Sequence, residues 1–142
     1  MMNNATQDPG AGGQTRIVGK GKATADGPGP DVMAADTLTG NDVYNPSNEK
    51  LGTIEHIMLD VPHGQVAYAV LSHGGVLGVG DKLYAIPWGA LVLDTDRKCF
   101  VLDVGKDRLK NATGFDKDHW PSMGDKQWAQ ELYEYYDQTP YW

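Results

Sequence analysis

The middle of the chain alternates short apolar runs with turn residues. The runs, rich in β-branched and aromatic residues, are 51–61, 66–71, 83–86, 91–94 and 99–104, and 43–44 supplies a very short sixth. Repeated short runs at this spacing predict antiparallel strands, because the connections are too short for crossover helices. The turns at 62–64 and 95–98 have the composition of hairpin connections. The pattern therefore predicts a mainly β fold, a small antiparallel β-barrel or sandwich of five to six strands.

The two ends of the chain differ in composition from the middle. The first 31 residues contain seven glycines and three prolines, with Ile17 and Val18 as the bulky aliphatic side chains. Such a segment buries too little apolar surface to offset the entropy of ordering, so we predict a disordered arm. We divide the chain into a flexible arm at 1–35, a β domain at 36–110, and a C-terminal helix with an aromatic tail at 111–142.

The C-terminal segment predicts an amphipathic helix. Trp128, Leu132 and Tyr135 recur at i, i+4 and i+7, which places them on one helical face. Ser122 or Asp125 is suited to cap the start of the helix. Aromatic side chains are common anchors of protein interfaces, so two roles stay open: docking on the chain's own barrel, and contact with a partner or a second copy. The candidate interaction residues are Trp128, Tyr133, Tyr136, Tyr141 and Trp142.

Charge and cysteine content exclude several classes of partner and site. The chain carries 19 acidic and 12 basic residues, a net charge of −7, which repels phosphate backbones and argues against direct nucleic-acid binding. The one cysteine, Cys99, excludes an internal disulfide, and its apolar neighbours predict a buried, unreactive thiol. Because we find neither an apolar run of about 18 residues nor a signal-like N-terminus, we expect no transmembrane segment and a cytoplasmic location.

A glycine-rich segment within the sequence LSHGGVLGVGDKLYAIPW is the first candidate for a ligand site. Its glycines do not have the spacing of a phosphate-binding or dinucleotide-binding loop. A strand also follows where such loops need a helix. We therefore favour a tight connection that closes the barrel. A small-ligand site formed by residues 74–80 with His73 and Asp81 is the alternative.

The remaining polar residues show no spacing typical of catalysis or metal binding. The histidines, which lack paired ligand spacing, are His56, His63, His73 and His119. Asp94 and Asp96 begin like a calcium loop, but Arg97 replaces the next ligand, so we favour turn-capping aspartates. The serines lie in no nucleophile-elbow context. We predict no catalytic residue, no metal site and no cofactor, and hence no enzymatic activity.

Several motifs, in order along the chain, resemble those of the PRC-barrel domain. They are LTGNDVYN at 38–45, LGTI at 51–54, VAYAVL at 66–71, GVGDK at 78–82 and IPW at 86–88. The resemblance covers about residues 36–105. It implies a small antiparallel β-barrel used for protein–protein contact, with no catalytic residues to carry over. The residues to which it assigns barrel-shaping roles are Gly52, Gly78, Gly80, Asp81, Pro87 and Trp88.

The PRC-barrel domain occurs in the photosynthetic reaction-centre H subunit, in a ribosomal-RNA maturation factor, and in stand-alone bacterial proteins. The chain resembles the stand-alone members, because it shows neither the transmembrane helix of the H subunit nor the separate N-terminal domain of the maturation factor. We therefore expect a non-catalytic interaction module that forms a homodimer through edge strands or the C-terminal helix. A module that binds ribosomal protein or RNA is the second hypothesis.

Overall fold

The computed structural model describes residues 15–18, 32–73 and 82–142, and strands predominate among them. The strands are β1 (Arg16–Val18), β2 (Asp42–Tyr44), β3 (Lys50–Asp60), β4 (Gln65–His73), β5 (Lys82–Pro87), β6 (Leu91–Asp94) and β7 (Cys99–Leu102). The helices are α1 (Ala35–Leu38), α2 (Lys106–Lys110) and α3 (Lys126–Tyr135), and a 3-10 helix spans Trp88–Ala90. The predicted mainly β fold class is confirmed.

The described strands form one mixed sheet in the order β1-β6-β7-β2-β3-β4-β5. The β3–β4, β4–β5 and β6–β7 pairs are antiparallel, which confirms the two predicted hairpin connections. The β2–β7 and β1–β6 pairs are parallel, so the prediction of a purely antiparallel sheet is wrong. Turn spacing in the sequence identifies hairpins, whereas strands paired across long connections leave no local signal.

Strand β1 lies inside the segment that composition predicts to be disordered. It pairs with β6, and the carbonyl of Val18 accepts bonds from the backbone N (2.9 Å) and the Oγ1 (3.0 Å) of Thr95. The prediction of a disordered arm is therefore wrong for Arg16–Val18, and the described residues hold seven strands, not five or six. Apart from Thr15, the rest of the predicted arm up to residue 31 lies outside the described residues.

The sheet is open along its pairing order. β1 and β5 are its two ends, and no ladder joins them within the described residues. A closed barrel is therefore not confirmed. At one end, Phe115 covers part of the β5 edge, since its backbone exchanges two 2.8 Å hydrogen bonds with that of Leu83. Covering an edge in this way satisfies backbone groups that closure would otherwise satisfy.

Strands β4 and β5 are buried on both faces. The main core packs on one face of the sheet and includes Leu71, Ile86 and Phe100. A smaller cluster packs on the opposite face and consists of Ala67, Tyr68, Ala85, Ala129 and Tyr133. Helix α3 supplies the last two of these side chains. The near-continuous apolar runs of β4 and β5 follow from this double burial.

Helix α3 begins at a cap, and the centre of its buried face is displaced by one residue from the predicted stripe. The Asp125 carboxylate accepts bonds from the backbone N of Gln127 (2.9 Å) and of Trp128 (3.1 Å), which confirms one of the two predicted caps. The buried positions on this segment are Ala129, Tyr133 and Tyr136. The predicted stripe of Trp128, Leu132 and Tyr135 is partly buried and packs against the two clusters, but the fully buried positions lie one residue further along the helix.

Three of the predicted barrel-shaping residues lie in or beside described strands. A Cβ on Gly52 would lie 2.0 Å from the Ser72 carbonyl oxygen, so β3 and β4 approach too closely for a side chain there. Pro87 ends β5, and Trp88 opens the 3-10 helix and packs on Phe100 with ring centroids 5.9 Å apart. The other three predicted residues, Gly78, Gly80 and Asp81, lie outside the described residues, as does the predicted ligand segment 74–80.

Candidate functional site

A groove of about 530 Å³ lies between the β3–β4 hairpin and the C-terminal part of the chain, and we call it the hairpin groove. The hairpin contributes Met58, Leu59, Asp60, Val61, Pro62, His63, Ala67 and Tyr68. The C-terminal part contributes Met123, Gly124, Lys126, Ala129, Tyr141 and Trp142. The groove is thus formed by segments that are distant in sequence, and its wall is mostly apolar.

The hairpin turn presents apolar side chains outward beside this groove. Gly64 adopts a positive φ of 65°, and its backbone N donates to the carbonyl of Asp60 at 2.9 Å, which closes the turn. The register of β3 against β4 shifts between Met58 and Leu59. Irregularities of this kind re-aim side chains near the end of a ladder. Leu59 is 62% exposed and Val61 is 79% exposed.

A polar cluster at Asp60 joins the hairpin to the C-terminal tail. The Asp60 Oδ2 accepts a hydrogen bond from the Tyr141 hydroxyl and lies 2.9 Å from the Nδ1 of His63. The bond from Tyr141, followed by the bond from His63, lowers the pKa of the Asp60 carboxyl. Burial and the hydrogen bond to Asp60 raise the pKa of Tyr141. The cluster keeps the carboxylate charged and the tail hydroxyl protonated.

Aromatic rings support the groove from below. Tyr133 is buried, and its ring lies 5.9 Å from Tyr68, 6.4 Å from Tyr141 and 5.1 Å from Trp142 between centroids. These distances are typical of edge-to-face and tilted aromatic pairs. Burial raises the pKa of Tyr133 to about 12, and its hydroxyl donates to the carbonyl of Ala67 at 3.4 Å. The tail therefore rests on a packed aromatic layer.

Exposed apolar side chains gather at this groove. Among the described residues, the large hydrophobic side chains that are exposed are Val32, Leu59, Val61, Trp120 and Trp142. Three of the five line the hairpin groove, and Trp142 is 47% exposed. Single exposed apolar residues are ordinary on protein surfaces, whereas a cluster beside a recess is typical of an interaction site.

A second, smaller cavity of about 250 Å³ lies under β1 and α1. Its lining is Thr15, Ile17, Met33, Ala35, Leu38, Ile57, Leu59, Val66, Trp88, Leu93 and Phe100. No charged side chain belongs to this set of described residues, and the Thr15 hydroxyl donates to the Trp88 carbonyl at 2.6 Å. Ligand sites use a few polar groups to fix orientation, so this cavity offers little specificity.

The structure separates the five predicted interaction residues. Tyr141 and Trp142 line the hairpin groove, and Trp128 is half-buried with its ring 5.5 Å from that of Tyr68. Tyr133 and Tyr136 are buried within the chain, so their prediction as partner contacts is corrected. The helical face of α3 is rotated by one residue from the predicted stripe, which turns these two rings inward.

Sequence reasoning missed the residues that the hairpin contributes to the groove. Leu59 and Val61 flank Asp60, the last residue of β3, and an apolar pair at i and i+2 in an extended chain predicts two side chains on the same side. The following Pro-His-Gly turn marks the pair as a hairpin tip. This alternation is the sequence feature that indicates an exposed apolar pair, but it falls within the apolar run 51–61, which predicts a buried strand.

The histidines and the turn aspartates considered as possible metal ligands each contact different neighbours. His63 precedes β4 and His73 is the last residue of that strand, whose nine extended residues span roughly 26 Å. In the described part of the chain, no group of three or more His, Cys, Asp or Glu side chains could hold a metal ion. The Asp94 Oδ1 accepts from the backbone N of Asp96 (3.0 Å) and of Arg97 (3.2 Å), which confirms the turn-capping prediction.

Cys99 is buried, as its apolar neighbours predict, and burial raises the pKa of its thiol. A high pKa keeps a thiol protonated and weakly nucleophilic. Over residues 15–18, 32–73 and 82–142, no helix has the length and apolar character needed to cross a bilayer.

Comparison with known proteins gives one family match. The model of the PRC-barrel domain matches residues 30–109, more than half of the chain. No curated protein matches the chain. Among solved structures, the chain is similar to a putative 16S ribosomal RNA processing protein, RimM, from Pseudomonas aeruginosa, with 20% sequence identity and a TM-score of 0.37. That match covers 53% of this chain and 45% of the RimM chain, less than half of its length.

Proposed function

This chain belongs to the PRC-barrel domain family, and on that premise we propose that it is a non-catalytic protein-interaction module that self-associates. The family match confirms the resemblance carried by the ordered motifs between residues 38 and 88. The hairpin groove and its exposed rim form the binding surface. The fold is a scaffold that serves many roles, so the function is argued from this surface.

One observation carries the proposal: the exposed apolar side chains of the described residues concentrate at a recess. Val61 is the most exposed of them at 79%, and it stands beside Leu59 and the tail residue Trp142. Leaving such side chains in water costs free energy that burial against a partner recovers, roughly 25 cal/mol for each Å² of apolar surface. Aromatic and methionine side chains, both present here, are enriched at protein interfaces.

The edge of the sheet at β5 is poorly suited to strand addition. The outward backbone groups of Leu83 are bonded to Phe115, and the next outward residue, Ala85, is buried. Pro87 follows two residues later and has no N–H to donate. Of the two contact modes expected from the sequence, edge strands and the C-terminal helix, these features disfavour pairing through the β5 edge.

The polar groups of the groove support a binding role over a catalytic one. Asp60 is occupied by Tyr141 and His63, which ties the carboxylate to the tail. The described residues that line the groove include no Ser, Thr or Cys side chain to act as a nucleophile. What remains is an apolar recess with internally bonded polar groups.

The self-association is tested by measuring molar mass with light scattering over a concentration series. We expect a mass approaching twice the 15.4 kDa of the chain as concentration rises. Because the proposed contact is apolar, added salt should leave the dimer intact, whereas a contact held by surface ion pairs weakens. A mass of one chain at every concentration would contradict the proposal.

A basic ribosomal protein is a second candidate partner, favoured by the net charge of −7. Acidic surfaces attract basic proteins and repel RNA, so direct contact would be with protein. Co-sedimentation of the chain with ribosomes at low and moderate salt tests this candidate. Its absence from the ribosomal fraction at both salt concentrations would exclude the role.

A further inference from the structure

We propose that two copies of the chain associate through the hairpin groove in a two-fold contact, with Val61 of each copy entering the groove of the other. This inference rests on the proposed self-association, because it names the surface that the two copies share. The partner is a second copy of the same chain, and the same patch of each copy supplies both the projecting and the receiving side.

The shape of this face meets the requirement of a two-fold contact. In such a contact, one surface patch must be complementary to itself. Here a projecting group and a recess lie side by side, since Leu59 and Val61 stand on the wall of the groove and point largely into solvent. When two such faces meet about a two-fold axis, the tip of each hairpin lies opposite the recess of the other.

The groove is chemically suited to an aliphatic side chain. Met58 and Met123 line it, and their unbranched side chains adapt to the shape of an incoming group. Ala67 and Tyr68 form part of its wall above the buried ring of Tyr133. Entry of Val61 would replace water against apolar surface on both copies.

Charge around the groove favours a second copy over a basic protein as the occupant. Two copies that each carry −7 repel one another unless the touching surfaces are near neutrality. Among the described lining residues, Asp60 is offset by Lys126 and accompanied by His63. Glu131 and Glu134, which would attract a basic partner, lie on the exposed side of α3 and do not line this groove.

The polar groups at the hairpin tip already have partners, so burial of the tip leaves few of them unpaired. The carboxylate of Asp60 accepts from the tail and from His63, and the backbone N of Gly64 donates to the carbonyl of Asp60. Burying an unpaired donor or acceptor would oppose association. The tip thus presents mainly apolar surface to the second copy.

Cysteine cross-linking tests the contact with a matched control. Val61→Cys places a thiol at the proposed contact, and Val32→Cys places one at a similarly exposed valine (66%) away from the groove. The native Cys99 is buried and does not compete. With a short bis-maleimide, we expect dimer to form from the Val61→Cys chain about tenfold faster than from the control, because contact raises the effective thiol concentration.

Charge insertion supplies the second measurement. Val61→Glu should raise the dimer Kd by about a hundredfold, since it places an unpaired carboxylate in an apolar contact. Val32→Glu, at matched exposure, should leave the Kd unchanged. Sedimentation velocity measures both, and circular dichroism checks that both variants fold.

The outcomes separate this inference from the proposed function. A wild-type dimer that persists in Val61→Glu, without preferential cross-linking at position 61, overturns the hairpin contact and leaves self-association standing. The occupant of the groove would then be a protein other than a second copy of the chain. A wild-type chain that stays monomeric overturns both. Loss of the dimer in Val61→Glu alone, together with fast cross-linking in Val61→Cys, supports the two-fold contact.

Discussion

At the scale of single residues, two positions on β3 determine how that strand meets its neighbours. At Gly52 the missing side chain lets the Ser72 carbonyl approach. At Asp60 a carboxylate gathers the Tyr141 hydroxyl and the His63 ring. The motif LGTI singles out the glycine from sequence. The aspartate carries no such signal, because its tail partner lies 81 residues away along the chain.

Gly52→Ala should destabilise the fold by about 3 kcal/mol, because the new Cβ would overlap a backbone carbonyl that has little freedom to move. Urea unfolding followed by circular dichroism measures the free energy of unfolding. Gly124→Ala is the control, since a Cβ there meets nothing within 4 Å. Equal stability of the two variants would contradict the close approach of β3 and β4.

Tyr141→Phe should change how the free energy of unfolding depends on pH in the acidic range. The bond from Tyr141 is the largest cause of the lowered pKa of Asp60, so the variant pKa should rise toward the ordinary value of 3.8. A carboxyl whose pKa is lower in the folded than in the unfolded chain stabilises the fold at pH values above its unfolded pKa. This stabilisation is lost as the pH falls through the folded pKa. Unfolding free energies measured below pH 5 should therefore decline more steeply in the wild type than in the variant.

The control for this experiment is Tyr135→Phe, which removes a hydroxyl that donates to the backbone carbonyl of Arg108 at 2.6 Å. That acceptor does not titrate, so the acid dependence should match the wild type. Nuclear magnetic resonance titration of the Asp60 carboxyl gives the pKa directly. An unchanged Asp60 pKa in Tyr141→Phe would contradict the assigned cause.

At the scale of elements, the periodicity of apolar residues predicts where strands and helices occur better than it predicts which of their faces is buried. Five apolar runs become strands with ends within three residues of the prediction, and the acidic cap of α3 is where the sequence places it. The buried face of α3 is displaced by one residue, because double burial of β4 and β5 draws Tyr133 inward. β1 and the parallel pairs were missed, since three residues that pair across a long connection show no period.

Asp125→Ala should lower the free energy of unfolding by about 1 kcal/mol, because two backbone N–H groups at the start of α3 lose their acceptor. Ser122→Ala is the matched control. The backbone carbonyl of Ser122 accepts a hydrogen bond from the backbone N of Asp125 at 3.1 Å, and an alanine at position 122 retains this bond. Equal losses in the two variants would show that the carboxylate does not cap the helix.

At the scale of the whole molecule, the fold class was accessible from sequence and the binding surface only in part. Tyr141 and Trp142 were identified as candidates because aromatic residues off a helical stripe need an explanation. Leu59 and Val61 were not, because a groove between distant segments depends on tertiary packing. The open order of the sheet was likewise outside the reach of local patterns.

The melting temperature of the wild type should rise with protein concentration, by about 2 °C for each tenfold increase, because association stabilises the folded chain by mass action. Val61→Glu should melt at one temperature across the series. Differential scanning calorimetry measures both. A concentration-independent wild-type melting temperature would argue against a dimer of folded chains.

The bond between Asp60 and Tyr141 has a consequence for the order of events during synthesis. The ribosome completes the β3–β4 hairpin long before it adds residues 126–141, so a nascent chain holds β4 and β5 with Tyr68 and Ala85 still uncovered by α3. Transiently uncovered strands of this kind are prone to aggregate. Chains that terminate before α3 should therefore aggregate and be short-lived in the cell, and the groove forms only after the C-terminal residues that line it have been added.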